Sequence, residues 1–494
     1  MSNPLALLPL AVAAGGGRIG TAGTDPSGFF EAQQLLAAGL TLLQRSAPLV
    51  RALSGRRSAI LLPTSPTFLT ALAASDGRGA VLVNPLAAPA EIAFQIRDAN
   101  VGAVFTTSAF AARLPADVTA VLLDDAPRAA RVVAGGTTRE VDLGSHHGLS
   151  LEGERDAEGR DEEAAVVYTS AMRGTPLGAV LTHRNLLANA RSTVEALAMV
   201  PEDHVLALLP FAHLFGLTVT GSAPLLVGAR VSTMERFHPV RAAELLAAGG
   251  ITTVVGVPAV FHALLGAIER RGIDLRGGPL RLIVCGGAEL PVALQDRWAD
   301  VTGVEMRQGY GLTEASPVSL FNRVDQPNVR GSLGLPFPGV HVAILPPTDY
   351  GIMGVTPSGS VTPISDGEPG EIAVRGTSVF RGYLHAGAAG LPRRGEWLMT
   401  GDRGVRSGDG TFRFLGLLKP MFTRNGFNVY PVELERAVGE LPGVERVEVR
   451  PLPEPFKEND ILLRVWGAVS EDDVRRWCEA RLSAYKQPSV IELR

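Results

Sequence analysis

Short apolar runs of strand length alternate with longer amphipathic runs along this chain, and the alternation occurs twice. From Phe29 to Ala52 apolar residues recur at helical spacing. Ser58 to Leu62 then reads as a buried strand, Thr64 to Ser75 as a helix, Ala80 to Val83 as a strand, Pro89 to Ala99 as a helix and Val101 to Phe105 as a strand. Strands separated by helices pair in parallel through right-handed crossovers and are covered on both faces. The same rhythm returns in strands Val205 to Leu209, Ala229 to Met234, Thr252 to Gly256 and Leu280 to Cys285, with helices near Leu214, Pro239, Pro258 and Pro291. Proline in a first helical turn costs little, because the N–H it lacks has no partner there anyway. At 494 residues the chain exceeds what one growing core accommodates. The expected fold is α/β: a large N-terminal domain of two stacked doubly wound sheets (residues 1–419) and a small α+β C-terminal domain (420–494). After Val318 the strands shorten and are broken by Gly and Pro, as in Gly370 to Val374, which predicts a small β-rich subdomain within the large one. In the small unit, helices are expected over Pro431 to Glu440 and Asp472 to Leu482, the latter with Ser470 as N-cap.

The segment that interrupts this rhythm runs from Tyr168 to Asn185: Tyr-Thr-Ser-Ala-Met-Arg-Gly-Thr-Pro-Leu-Gly, then Ala-Val-Leu and Thr-His-Arg-Asn. A strand (Ala164 to Tyr168) leads into a turn of small and hydroxyl residues, which can offer N–H groups and hydroxyls to a phosphate. The segment resembles the signature loop of the adenylate-forming superfamily, which includes acyl-CoA synthetases, peptide-synthetase adenylation domains and luciferase. Tyr168, Thr169, Ser170, Gly174, Pro176, Gly178, Thr182, His183 and Asn185 match that pattern. Ala171, Met172, Arg173 and Leu177 replace its Gly, Thr, Thr and Lys, and Leu177 can neither donate a hydrogen bond nor carry charge.

Four further segments follow in the order that the superfamily keeps. Pro210 to Gly216 resembles its Phe-His-x-Phe-Gly stretch, whose histidine gates the acyl pocket; here that is His213, although a lone histidine in an apolar run is more often a core residue. No carboxylate lies between Leu206 and Leu226, and relatives that activate amino acids place an Asp there to meet the ammonium. The resemblance therefore implies a fatty, aryl or hydroxy acid. Cys285 to Pro291 follows a strand, and its glycines permit close approach to a flat ring; the resemblance makes Gly287 and Ala288 part of the adenine and acyl walls. Gln308 to Glu314 reads as a strand end at Met306 followed by a turn. In the superfamily this slot stacks an aromatic ring on adenine, contacts the α-phosphate and holds magnesium, which implies Tyr310 with Gly311, Thr313 and Glu314. One carboxylate suffices for Mg²⁺, which keeps several waters. Thr400-Gly401-Asp402 matches the ribose-binding Thr-Gly-Asp, so Asp402 would accept both hydroxyls.

The chain then departs from the pattern. Leu417 stands where the superfamily has a ribose- and phosphate-reaching arginine, and Pro420 stands at the hinge Asp, where a locked φ resists domain rotation. Lys419 is a candidate to replace some of the lost charge, with a solvated side chain as the plainer reading. Gly426-Phe427-Asn428-Val429-Tyr430-Pro431 matches the segment beside the thiol channel, which implies Gly426 there. Tyr485-Lys486-Gln487-Pro488 matches the segment preceding the adenylation lysine; Lys486 is its neighbour, and the sequence stops at Arg494 before that lysine, so the small domain reads as shortened. Loss of one preorganised donor costs about 10²- to 10³-fold in rate, so adenylation is expected to be slowed. Arg173 is a possible compensating cation, with a surface arginine as the plainer reading.

The resemblance implies an AMP-forming ligase using ATP and Mg²⁺ that passes an acyl group from a carboxylic acid to the pantetheine thiol of CoA or of an acyl carrier protein. Thr169, Glu314 and His213 would be catalytic. Ser170, Gly174, Gly287, Ala288, Tyr310, Gly311, Thr313, Asp402 and Gly426 would bind the cosubstrates, and Glu314 the metal. Two readings stand beside it: a pseudoenzyme that binds nucleotide without turnover, and a half-enzyme that processes an adenylate made elsewhere. A net charge of -4 without like-charge blocks argues against a nucleic-acid partner. The two cysteines, Cys285 and Cys478, form no Cys-x-x-Cys pair and suit a reducing cytoplasm. The apolar run Pro4 to Ala14 has no preceding Lys or Arg and is too short to span a bilayer, so it reads as an entry helix or strap.

Overall fold

The computed structural model describes residues 8–24, 28–75, 79–124, 126–144, 161–169, 175–348, 361–385, 393–454 and 457–494. Ser170, Ala171, Met172, Arg173 and Gly174 lie outside the described residues. The described part is a mixed α/β fold with a large N-terminal unit and a smaller C-terminal one.

Two large sheets carry the N-terminal unit. The first runs in the spatial order Leu335–Pro336, Val318–Phe321, Met306–Gly311, Leu282–Cys285, Thr253–Gly256, His204–Ala207, Arg230–Thr233, Arg18–Thr21 and Phe29–Glu31. Its centre is parallel, with Val205, Thr253 and Leu282 in register on neighbouring strands. The second runs Gly382–Tyr383, Leu177–Thr182, Glu163–Thr169, Ala80–Leu82, Arg57–Ile60, Val101–Thr106, Thr119–Leu122, Ala129–Ala134 and Thr137–Asp142. Continuous apolar runs such as Val101 to Phe105 are wholly buried, as strands covered on both faces must be. Helices Ala32–Arg45 and Thr67–Ala74 pack on one another beside these sheets. The expected single helical stretch from Phe29 instead opens as an edge strand, Phe29–Glu31, and is then divided at Ser46, whose hydroxyl accepts from Leu49 N and caps a second helix, Ala47–Leu53.

The smaller sheet consists of Val340–Leu345, Gly370–Gly376, Trp397–Arg406, Arg393–Arg394 and Phe412–Leu417 among the described residues. The C-terminal unit has a hairpin, Phe422–Arg424 with Phe427–Val429, and a sheet of Val444–Glu454, Glu458–Gly467 and Val490–Leu493. Helices Pro431–Gly439 and Glu471–Arg481 pack on it, and Ser470 caps the second through a hydrogen bond from Asp473 N. The N-terminal run is a packed helix, Leu8–Ala14, with Leu8 N–H donating to His183 Nδ1 at 3.0 Å. Among the described residues no helix is long and apolar enough to cross a membrane.

The two units meet around a buried lysine. Lys486 is 3% exposed, and its ammonium donates to Glu91 Oε1 at 2.9 Å and to Glu433 Oε1. Ser483 Oγ donates to Glu91 Oε2, and that same oxygen accepts Ala88 N–H at 2.9 Å, closing the first turn of helix Pro89–Asp98. Arg436, on helix Pro431–Gly439, donates to Thr175 Oγ1 at the far side of the signature loop.

Candidate active site

The segments singled out in the sequence come from distant strands, and their ends converge. Strand Glu163–Thr169 ends at Thr169 and pairs with Leu177–Thr182, so the loop between them leaves and re-enters one hairpin. Thr182 then caps helix His183–Ala196: Asn185 N–H donates to Thr182 Oγ1 at 3.1 Å and Thr182 N–H to Asn185 Oδ1 at 2.9 Å. The Asn185 amide also donates to Thr377 O and Val379 O at 2.7 and 3.0 Å. The Thr-His-x-Asn pattern is thus a reciprocal cap that also fastens this helix to the smaller sheet.

Tyr310 and Gly311 lie within a strand rather than in the expected turn. The strand runs from Met306 to Gly311 because Gly309 and Tyr310 pair antiparallel with Phe321 and Leu320, and the turn begins only at Leu312. The antiparallel partner arrives through Ser316, at φ 72°, a reversal that strand propensity alone does not announce. A short 3₁₀ turn, Thr313–Ala315, then presents Thr313 and Glu314. The opposite wall comes from strand Trp397–Arg406, in which Gly401 at φ 74° breaks the pleat and turns Asp402 inward.

One cavity of about 890 Å³ collects these groups. Thr169, His213, Gly287, Ala288, Tyr310, Gly311, Thr313, Glu314, Asp402 and Gly426 all line it. Ser170 and Gly174, expected beside them, are outside the described residues. The Tyr310 hydroxyl donates to Asp402 Oδ2 at 2.6 Å, and Tyr383 donates to Glu314 Oε1 at 2.7 Å. Burial raises the Tyr310 pKa well above the phenol range, reinforced by the Asp402 charge. Burial also raises Asp402, against the opposing pull of Lys419 and of the Tyr310 hydrogen bond. His213 is lowered by burial and is therefore neutral at pH 7.

The cavity has an apolar end and an aromatic-lined mouth. Thr193, Leu197, Val219, Val318, Phe321 and Phe337 line the former, with no charged side chain among them. Beside it, Phe215–Ser222 is a π-helix where the sequence pattern suggested an ordinary one. At the mouth the Phe427 ring stands edge-on to His213, centroids 6.5 Å apart, and stacks on Tyr485 at 4.4 Å. Gly426, at φ 76°, lies so close to Val257 that a Cβ would meet Val257 Cγ1 at 2.9 Å. The tail hairpin is thus inserted between its own unit and the large one.

Glu371 and Tyr383 of this site fall in no motif of the sequence, and Gln308 and Lys419 fall inside motifs but off the positions whose roles the resemblance carries over. Gln308 is 5% exposed and lines the cavity, and its side-chain amide has no hydrogen bond to a described residue. Glu371 is buried; its Oε1 accepts Gly401 N–H and its Oε2 accepts Thr348 N–H, both at 2.8 Å, which holds the turn before Asp402. An acidic residue opening the apolar run Ile372 to Val374 was the available signal. Tyr383 reaches Glu314 from a two-residue strand too short to stand out. Lys419 corrects the reading of a solvated side chain: it lines the cavity, its stem lying against Gly401. Lys486 is likewise more than a bystander, since it is the buried link between the units. Leu177 and Leu417 line the same cavity.

Comparison with known proteins bears on the family and the fold. Residues 49–384 match the family described as AMP-binding enzyme. A feruloyl-CoA synthase from Amycolatopsis sp is 31% identical over 457 residues, covering 89% of this chain and 84% of the relative. A long-chain-fatty-acid–CoA ligase from Escherichia coli O157:H7 is 29% identical over 475 residues, covering 89% and 82%. Among solved structures, a malonyl-CoA ligase with methylmalonyl-CoA and AMP bound superposes with a TM-score of 0.78 at 26% identity, covering 100% of this chain and 99% of that one. An o-succinylbenzoate CoA synthetase from Bacillus subtilis superposes with a TM-score of 0.79 at 22% identity, covering 99% and 95%.

Proposed function

The chain belongs to the AMP-binding enzyme family, and from that premise we propose that it is an AMP-forming acid–thiol ligase acting on a fatty or aryl acid. The observation that carries the reading is the convergence of Thr169, Tyr310, Thr313, Glu314, Asp402 and Gly426 on one cavity with an apolar extension. In the first half-reaction a carboxylate oxygen attacks the α-phosphorus of ATP, and pyrophosphate leaves. In the second, the sulfur of CoA or of a carrier-protein pantetheine attacks the acyl carbon of the adenylate, and AMP leaves. We place the boundary between the units at Lys419–Pro420.

Each residue has a role that its position suits. The Tyr310 ring provides a flat face for adenine, and Gln308 offers an uncommitted amide for a base edge. Asp402 accepts the ribose hydroxyls, with Glu371 fixing the turn beneath it. Thr169 and Thr313 donate hydroxyls to phosphate oxygens, with Ser170 and the Gly174 backbone assigned to the same task. Gly287 and Ala288 form the wall between base and acyl group, and Gly311 leaves room beside the phosphate. Glu314 fits a magnesium ion: Tyr383 occupies one of its oxygens and the other has no partner among the described residues. Such an ion needs few protein ligands, and no group of three or more ligating side chains occurs among the described residues. When bound, it neutralises phosphate charge. Neutral His213 and Phe427 shut the acyl mouth against water, and Gly426 borders the thiol path. The free, buried thiols of Cys285 and Cys478 suit a cytoplasmic protein.

A half-enzyme that consumes a ready-made adenylate is the second reading. It is favoured by Leu177 and Leu417 on the cavity wall and by the tail hairpin inserted at the thiol side. Pyrophosphate exchange over a panel of acids, run beside thioester formation from synthetic acyl-adenylates, decides between them. Exchange supports the ligase, thioester formation alone supports the half-enzyme, and silence in both leaves a nucleotide-binding pseudoenzyme.

A further inference from the structure

The nucleotide end of the cavity is crowded with acids. Asp402 and Glu314 line it, Glu371 lies just beneath, and the phenols of Tyr310 and Tyr430 face it. Bringing a phosphate into such company without a cation is opposed by Coulomb repulsion, which a partly dry cavity screens poorly. Among the described residues that line the cavity, Lys419 is the sole lysine or arginine.

Its placement is built rather than incidental. The Lys419 stem crosses Gly401 so closely that a Cβ there would overlap its Cγ and Cε. The backbone on both sides is tied: Leu418 N–H donates to Gly401 O at 2.9 Å and Met421 N–H to Lys419 O at 2.8 Å. Burial pulls the ammonium pKa down, but Tyr430, Asp402, Glu314 and Glu371 together outweigh it and raise it above the ordinary lysine range. The side chain is thus charged, yet its Nζ makes no hydrogen bond to any described residue.

We infer that Lys419 is a phosphate-binding residue of this site, supplying to the α-phosphate the positive charge that Leu177 and Leu417 cannot. This rests on the nucleotide reading above. Because Lys419 is anchored through Leu418 to Gly401 of the large unit, the cation stays beside the nucleotide whichever way the tail turns. A lysine carried by the tail would come and go.

The test compares AMP with adenosine, which shares the base and ribose but lacks the phosphate. Calorimetric titrations are run on the unaltered chain, Lys419→Met and Lys419→Arg, with thermal unfolding as the check that each variant is folded. Lys419→Met is expected to weaken AMP at least 10-fold and adenosine less than 3-fold, and Lys419→Arg to keep most of the AMP affinity. Equal losses for the two ligands, or none, would overturn the inference and leave Lys419 as a counterion of Asp402. Failure of the unaltered chain to bind either ligand would instead sink the nucleotide reading, and the inference with it. Should Lys419→Met not fold, salt titration of the unaltered chain decides the matter: AMP affinity should fall with NaCl while adenosine affinity holds, and parallel curves count against the lysine.

Discussion

The hydroxyl of Tyr310 and the carboxylate of Asp402 lie 2.6 Å apart although 92 positions separate them in the chain. The contact bridges one of the large sheets and the smaller one across the cavity, so the residue read as the adenine platform also orients the residue read as the ribose acceptor. Hydrogen bonds to a charged group contribute about 1.5–3 kcal/mol. Asp402→Ala is therefore expected to weaken AMP by roughly 10- to 100-fold, and Tyr310→Phe, which keeps the ring, by less. Calorimetry with AMP reads both; equal losses would mean that Asp402 serves the nucleotide only when the Tyr310 hydroxyl holds it.

Lys486 pairs with Glu91 and Glu433 at once. Lys486→Ala leaves two carboxylates facing each other in a buried interface, and breaking a buried pair costs about 3–5 kcal/mol. The tail should loosen, which limited proteolysis would register as faster cleavage in the linker near Pro420. An unchanged digestion pattern would show that the tail is held by packing alone.

Val219 is buried and lines the apolar end of the cavity. Val219→Trp should fill that end, raising KM at least 10-fold for the longer acids in a panel while sparing the short ones. A uniform loss across the panel would place the acyl group elsewhere.

His204 is held neutral: burial, helped by Arg230, lowers its pKa to about 4, and its Nε2 pairs with Ser232 Oγ at 2.8 Å. The unfolded chain, with a histidine near its ordinary value of about 6.5, binds more protons than the folded one between these limits. Stability contributed by His204 is thus full above about pH 6.5 and is lost as pH falls toward 4. Denaturant unfolding at several pH values should show this slope, and it should flatten in His204→Asn.

Gly401→Ala places a methyl group against the Lys419 stem and also forces φ 74° on a residue with a Cβ. It should reproduce the AMP defect of Lys419→Met with the lysine still present. Measured together, the two changes should add little to one another, because each removes the same charge from the same place.

The motif order makes most of this cavity legible in the sequence. Residues whose chemistry is local, such as the Thr182 cap or the Gly401 turn before Asp402, announce themselves by type and spacing. Features that depend on partners far away in the chain do not. The strand through Tyr310 is longer than its residues suggest because Val318–Phe321 folds back on it, and Glu371 matters only because Gly401 lands beside it. Lys419 and Lys486 belong with these: the role of a lone lysine, whether beside Leu418 and Pro420 or beside Tyr485 and Gln487, shows only when its neighbours across the fold are known. The N-terminal helical stretch divides at Ser46 because a hydroxyl in a run of helix formers also caps the next helix.

The carboxyl group of Glu91 closes the first turn of its own helix with the same oxygen that takes the Ser483 hydroxyl, while its other oxygen holds Lys486. Departure of the tail therefore leaves that turn with an uncompensated acid and frees it to fray. Deuterium uptake at the amides of Ala88, Ala90, Glu91 and Ile92 becomes a built-in gauge of whether the tail leaves the large unit, readable without a label or a ligand analogue.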